Sequence, residues 1–170
     1  MAKHAQLDER RLMPAWRRYD GSLHKAAQRV LSQISQGAQA SHLVIVSGGY
    51  GLLLANEPIG TYDARFKARD WPRGLLEEAL VEYARSLRVQ KVRAIASYTT
   101  DYARLIREAQ WEKAGVSDAW LFTPESVRAA LRFAPRAQSE ALDALVSGRL
   151  YPDWRSSDGL RLRAVRLVAG

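Results

Sequence analysis

Residues 41–51 read SHLVIVSGGYG: Leu43, Val44, Ile45 and Val46 form an apolar, largely branched run that stops at Ser47 in a cluster of glycines. Branched side chains favour extended backbone. An unbroken apolar run, unlike an alternating one, marks a strand covered on both faces. Upstream, residues 8–19 are expected to form a helix that Pro14 interrupts or begins. Asp20 then reads as an N-cap, and Leu23, Ala26, Ala27, Val30, Leu31 and Ile34 recur at helical spacing until Gly37. Downstream, residues 48–58 read as a glycine turn with a short apolar stretch, and 60–72 as an irregular connection holding Tyr62, Arg65 and Trp71. A helix is expected over 73–87, a strand over 92–97, and a helix over 99–113 capped by Thr99 or Thr100. A strand follows at 119–123, then helices from Pro124 to Phe133 and over 139–148. Residues 160–168 (LRLRAVRLV) alternate as an edge or antiparallel strand does. Strands alternating with helices predict an α/β fold: a single domain over residues 1–170 with a mainly parallel sheet flanked by helices. Residues 1–15 are expected to be flexible or a short helix.

Composition narrows the function classes. The chain has 170 residues, 47% hydrophobic and 26% charged, enough apolar surface to bury a core. Cysteine is absent, which excludes disulfide scaffolds, thiolate metal sites and cysteine nucleophiles. His4, His24 and His42 lack metal-ligand spacing, so neither a metal nor another cofactor is expected. No apolar run reaches the roughly 18 residues of a membrane span, and the polar start MAKHAQLDERR has no apolar leader core. A cytoplasmic location without membrane attachment is the expectation. The net charge is +8, and 21 of the 26 basic residues are arginine. That balance attracts a polyanion or a small anionic ligand, and arginine suits bidentate phosphate contacts.

Three stretches carry candidate chemistry. Ser47, Gly48, Gly49, Tyr50 and Gly51 lie where a buried strand ends, the place where open α/β sheets hold ligands. Glycines there let backbone N–H groups approach a ligand closely. The stretch is not a P-loop, a dinucleotide fingerprint or a nucleophile elbow, because the flanking residues those motifs need are missing. Asp20 offers a carboxylate, with His24 one turn on; a Ser47–His24–Asp20 triad would have an unusual geometry. Ser97 and Tyr102 stand where the second strand gives way to a helix. If the two strands are parallel neighbours, Ser47 and Ser97 open onto one sheet edge, and Tyr62 and Arg65 can fold across it. Asp20, Ser47, Tyr50, Arg65, Ser97 and Tyr102 are then expected to line one cleft suited to a planar, anionic or nucleoside-like ligand.

These stretches resemble the YaaA family of bacterial peroxide-stress proteins. The matching text is RYDGSLHK at 18–25, VSGGYGLL at 46–53, IGTYDARF at 59–66 and AIASYTTDYARLI at 94–106, with Trp71 leading into the next helix. The resemblance covers roughly residues 16–107 and implies a YaaA-like fold. It implies a link to nucleotide or nucleic-acid chemistry and oxidative-stress protection, with Asp20, Ser47 and Tyr102 as catalytic candidates. Gly48–Gly51, Tyr62, Arg65 and Ser97 are the corresponding ligand-binding candidates. The family's DNA contacts are associated with a helix-hairpin-helix element that this sequence lacks, and TYDARF departs from the family's Pro-Tyr-Arg-Leu-Glu-Met element. The alternative expectation is a non-enzymatic DNA-binding stress protein. The residues do not decide between an enzyme and a binding protein, nor do they fix an oligomeric state.

Overall fold

A computed structural model describes residues 7–19, 22–36, 42–124 and 127–168. In chain order the elements are β1 (Asp8–Pro14), α1 (Ala15–Arg18), α2 (Ser22–Gln36), β2 (Val44–Ser47), β3 (Gly51–Leu54) and β4 (Pro58–Thr61). Then come α3 (Leu75–Ser86), β5 (Lys91–Ile95), α4 (Asp101–Glu108), β6 (Asp118–Pro124), α5 (Val127–Val146) and β7 (Leu162–Arg166). Short 3-10 turns sit at Ala68–Asp70 and Trp111–Ala114. The class is mixed α/β, as the alternation of patterns predicts.

Among the described residues the strands form three small sheets: β1 with β4, β2 with β3, and β5–β6–β7. Only β5 and β6 run parallel; the other three pairings are antiparallel. The expected mainly parallel sheet is therefore corrected. The cause lies in the glycine turn: the chain reverses between Ser47 and Gly51, and Leu52–Leu54 returns along β2 as a hairpin strand. Ser47 and Ser97 consequently do not end neighbouring parallel strands. β2 pairs with β3, whereas β5 pairs with β6.

Both faces of the β2–β3 hairpin are covered, as the unbroken apolar run implies. Ile45 and Leu53 join Trp16, Ala27, Leu31 and Ile59 in one cluster. Val44, Val46 and Leu52 pack on the opposite cluster, built around Leu80, Leu105, Trp111 and Leu121. A third cluster, Phe122, Ala141 and Leu162, joins α5 to the three-stranded sheet. α2 lies against α5.

Three further expectations change. Residues 8–14 form a strand rather than a helix: Pro14 pairs with Pro58 and Met13 with Ile59, and these partners lie far along the chain. The two helices expected around Pro124 and Ser139 are one helix, α5, which runs through Pro135; Pro124 ends β6 instead of opening a helix. The helix expected over 99–113 is α4 alone, followed by the turn at Trp111–Ala114. Its cap is Thr100, whose hydroxyl accepts from the Ala103 amide at 3.3 Å and donates to the Ser97 carbonyl at 2.6 Å. The caps expected at Asp20 and Gly37 lie outside the described residues. No helix among the described residues is long and apolar enough to cross a membrane.

Candidate functional site

Ser47, at the end of β2, is 1% exposed. Its Oγ accepts from the amides of Gly49 (3.3 Å) and Tyr50 (3.0 Å), closing the hairpin turn on itself. The same Oγ lies 2.6 Å from the Tyr62 hydroxyl, and Tyr62 donates to the Tyr19 hydroxyl at 2.8 Å. Either hydroxyl can donate in the Ser47–Tyr62 bond, and the three hydroxyls of Ser47, Tyr62 and Tyr19 form one hydrogen-bonded chain.

The tyrosine rings reinforce that chain. Tyr62 meets Tyr19 edge-on with centroids 6.3 Å apart and Tyr50 at 5.5 Å. Tyr50 accepts from the Gly60 amide at 3.0 Å, tying the turn to β4. Tyr102 stacks at a tilt on Phe66, 5.0 Å between centroids. Asp101 accepts from the Ala68 amide at 2.9 Å and pairs with Arg104 at 3.2 Å. Burial pushes the phenols of Tyr19 and Tyr102 above the ordinary tyrosine value. For Tyr19, the hydrogen bond with Ser47 opposes that shift and the one with Tyr62 adds to it; for Tyr102, the nearby Tyr62 adds to it. At neutral pH both are hydrogen-bonding phenols, not bases.

The glycines serve close packing. A Cβ on Gly48 would sit 2.7 Å from the backbone of Arg65 and Phe66 and closer still to the Ala64 carbonyl. On Gly49 it would meet the Tyr62 ring at 2.8 Å. Gly51 has φ +83° and faces Trp71. The turn is thus pressed under the 62–66 segment, and Gly48, Gly49 and Gly51 are buried.

Of the sequence-derived candidates, Ser47, Gly48, Gly49, Tyr50, Gly51 and Tyr62 meet directly, and Tyr102 joins through Phe66. Arg65 contributes its backbone against Gly48, while its side chain is exposed. Ser97 is half-buried and holds the Thr100 cap through its carbonyl. Asp20, and with it any Asp20–Arg65 pair or triad with His24, lies outside the described residues. Sequence reasoning passed over Tyr19, although it sits in the quoted RYDGSLHK stretch; the tyrosine present in each of the four stretches was the available signal. Among the described residues, no group of three or more His, Asp or Glu is placed to hold a metal.

A groove of about 520 Å³ lies elsewhere, between α2 and α5. Its Asp143 pairs with both Arg29 and Arg149 at 3.3 Å, and its Glu140 is held by Ser157 and Arg136. Comparison with protein-family models, curated proteins and solved structures finds no match for this chain.

Proposed function

We propose that the chain is a YaaA-like protein whose serine–tyrosine cluster takes a nucleobase, nucleotide or other small anionic ligand, in nucleotide or nucleic-acid chemistry linked to oxidative-stress protection. One observation carries the reading. The four stretches behind the family resemblance span residues 18–106, yet Tyr19, Ser47, Tyr50, Tyr62 and Tyr102 gather in one hydroxyl-rich cluster. A hydrophobic core alone has no use for four phenols and a buried serine, because each polar group must be kept hydrogen-bonded.

The cluster suits recognition better than covalent chemistry. Ser47 has Tyr62 rather than a base beside it, so its hydroxyl is not activated as a nucleophile. Phenols offer edges and faces to a planar ring and hydroxyls to its polar rim. Arg65, whose backbone packs on the turn and whose side chain is exposed, supplies the counter-charge, and an acid or base role falls to Asp20. A thermal-shift screen with nucleobases, nucleoside monophosphates and sugar phosphates tests this. A saturable rise in Tm with a base-containing ligand supports the reading, and no shift from any member overturns it.

The net charge of +8 favours a second reading, non-enzymatic DNA binding. Exposed cations cluster at the N-terminal edge: Arg11 and Arg17 are exposed, and Arg17 lies 5.0 Å over the Trp16 ring. DNA binding through several phosphates weakens steeply with salt. A mobility shift that persists at low salt and vanishes at high salt supports it, and no shift at low salt removes it.

A further inference from the structure

The groove of about 520 Å³ between α2 and α5 has the volume of a small-molecule site. Three parts of the chain line it: Arg29 of α2, Ser139 and Asp143 of α5, and Arg149, Trp154 and Arg155 from the segment that follows. Its floor is apolar, with Val30 and Ala144 each 4% exposed. Trp154 is half-buried against the Phe122–Ala141–Leu162 cluster, so its ring forms one wall in a set position.

Ser139 supplies an independent observation. It is 8% exposed and lies one turn before Asp143 on the same face of α5. Serines inside helices often bond back to the carbonyl four residues earlier, but the Ser139 hydroxyl has no hydrogen-bond partner among the described residues. Its oxygen is nevertheless not enclosed: the fully enclosed, unpartnered side-chain atoms among the described residues are Arg18 Nε, Trp71 Nε1 and Thr123 Oγ1. The surface it keeps therefore opens on the groove that Ser139 lines.

The charges around the groove do not balance. Asp143 stands between Arg29 and Arg149, with one carboxylate oxygen 3.3 Å from each. Each guanidinium commits one of its five donors to that carboxylate. Glu140 also lines the groove, but it accepts from the amide and hydroxyl of Ser157, both at 2.7 Å, and from Arg136 at 3.1 Å. Arg155 is exposed and enters no ion pair among the described residues. Arg29, Arg149 and Arg155 thus share the single carboxylate of Asp143, which leaves positive charge in excess beside an unused hydroxyl and an aromatic wall.

We propose that this groove binds a sugar phosphate. The phosphate dianion takes up the excess charge on Arg149 and Arg155, whose planar forks match its oxygens. The free Ser139 hydroxyl donates to the bound molecule, the remaining lone pairs of Asp143 accept from sugar hydroxyls, and the Trp154 ring covers the C–H face of the sugar. A polyol body thus uses the carboxylate and the aromatic wall together, as the phosphate uses the guanidiniums. The site does not depend on the reading of the Ser47 cluster.

The test is an NMR titration of the full chain at constant ionic strength. The probes are glucose 6-phosphate, fructose 6-phosphate and ribose 5-phosphate, each beside its unphosphorylated sugar. The Trp154 indole resonance is identified by its loss in Trp154→Phe. The proposal expects that resonance to move saturably with at least one sugar phosphate and not with the parent sugar. In an Arg149→Gln/Arg155→Gln variant, both substitutions on exposed side chains, affinity falls by about tenfold or more. Ser139→Ala weakens binding several-fold while leaving the unliganded protein as stable as before or slightly more so, because the hydroxyl it removes bonds to nothing. The shift persists in Tyr62→Phe, which separates this groove from the Ser47 cluster. A resonance unmoved by all three sugar phosphates, an affinity unchanged in the arginine variant, or tighter binding of adenosine monophosphate than of ribose 5-phosphate at this resonance overturns the proposal.

Discussion

Ser47 and Tyr62 stand 15 residues apart in the chain, and their hydroxyl oxygens lie 2.6 Å from each other. That bond fastens the β2–β3 turn to the segment following β4 and begins the hydroxyl chain that continues to Tyr19. It also explains why the turn needs glycine. The 62–66 segment can reach Ser47 only by passing directly over Gly48 and Gly49.

Gly48→Ala is accordingly expected to destabilise strongly. The new methyl group would meet backbone atoms of residues 64–66, which cannot rotate away. Overpacking of this kind costs about 1–3 kcal/mol, and a backbone neighbour places it at the upper end. Urea denaturation should show a lower midpoint, with Gly115→Ala, where a Cβ meets nothing within 4 Å but φ is +78°, as a comparison for conformational strain alone.

Thr123→Val is expected to be neutral or stabilising. Thr123 is 1% exposed on β6, and its Oγ1 has no hydrogen-bond partner among the described residues. Valine keeps the shape and removes a desolvated hydroxyl, a gain of about 1 kcal/mol. Thermal denaturation that shows a clear loss of stability would mean that this hydroxyl is satisfied in solution.

Asp118 gives the stability a defined acid dependence. Its hydrogen bond from Arg93, and more weakly that from the Trp120 indole, hold the carboxyl below the ordinary aspartate value. A depressed pKa in the folded state means that the contribution is present above the unfolded-state value and is lost as pH falls through the folded-state value. Asp118→Asn should therefore be less stable than the parent at neutral pH, with the gap closing in the acid range. Denaturation midpoints across that range check the convergence; a constant gap would contradict it.

The alkaline limb has the opposite sign. Tyr19 and Tyr102 are held protonated chiefly by burial, so their contribution is complete below the unfolded-state tyrosine pKa and is lost as pH rises beyond it. Ultraviolet titration should show the most readily titrated tyrosines ionising first, with these two ionising only together with unfolding. Tyrosine ionisation completed while the protein stays folded would contradict the buried network.

Local chemistry was legible in the sequence and long-range pairing was not. The apolar run at 43–46, the helical spacing before α3 and the Thr100 cap all depend on neighbours within a few residues, and each appears in the structure. The strand at 8–14 could not be read, because its pairing with 58–61 depends on partners more than 40 residues away. The parallel arrangement was expected because Leu52–Leu54 looked like part of a loop; only the pairing of Ile45 with Leu53 shows that it returns along β2. The tyrosines of the candidate site were visible within their motifs. Their convergence was expected on a shared sheet edge and occurs instead at a hairpin turn, where close packing rather than strand order brings them together.

The most direct test compares stability and binding in one variant, Tyr62→Phe. The substitution keeps the ring that packs against Tyr19, Tyr50 and Gly49 and removes the hydroxyl at the centre of the chain. Calorimetric titration with nucleobases and nucleoside monophosphates is run on parent and variant, beside urea denaturation of both. The account predicts that the parent binds a base-containing ligand and that the variant, though still folded and down by only about 1–2 kcal/mol, binds it at least about tenfold more weakly. Equal affinity in the two folded proteins would contradict the assignment of the Ser47–Tyr62–Tyr19 cluster as the binding site.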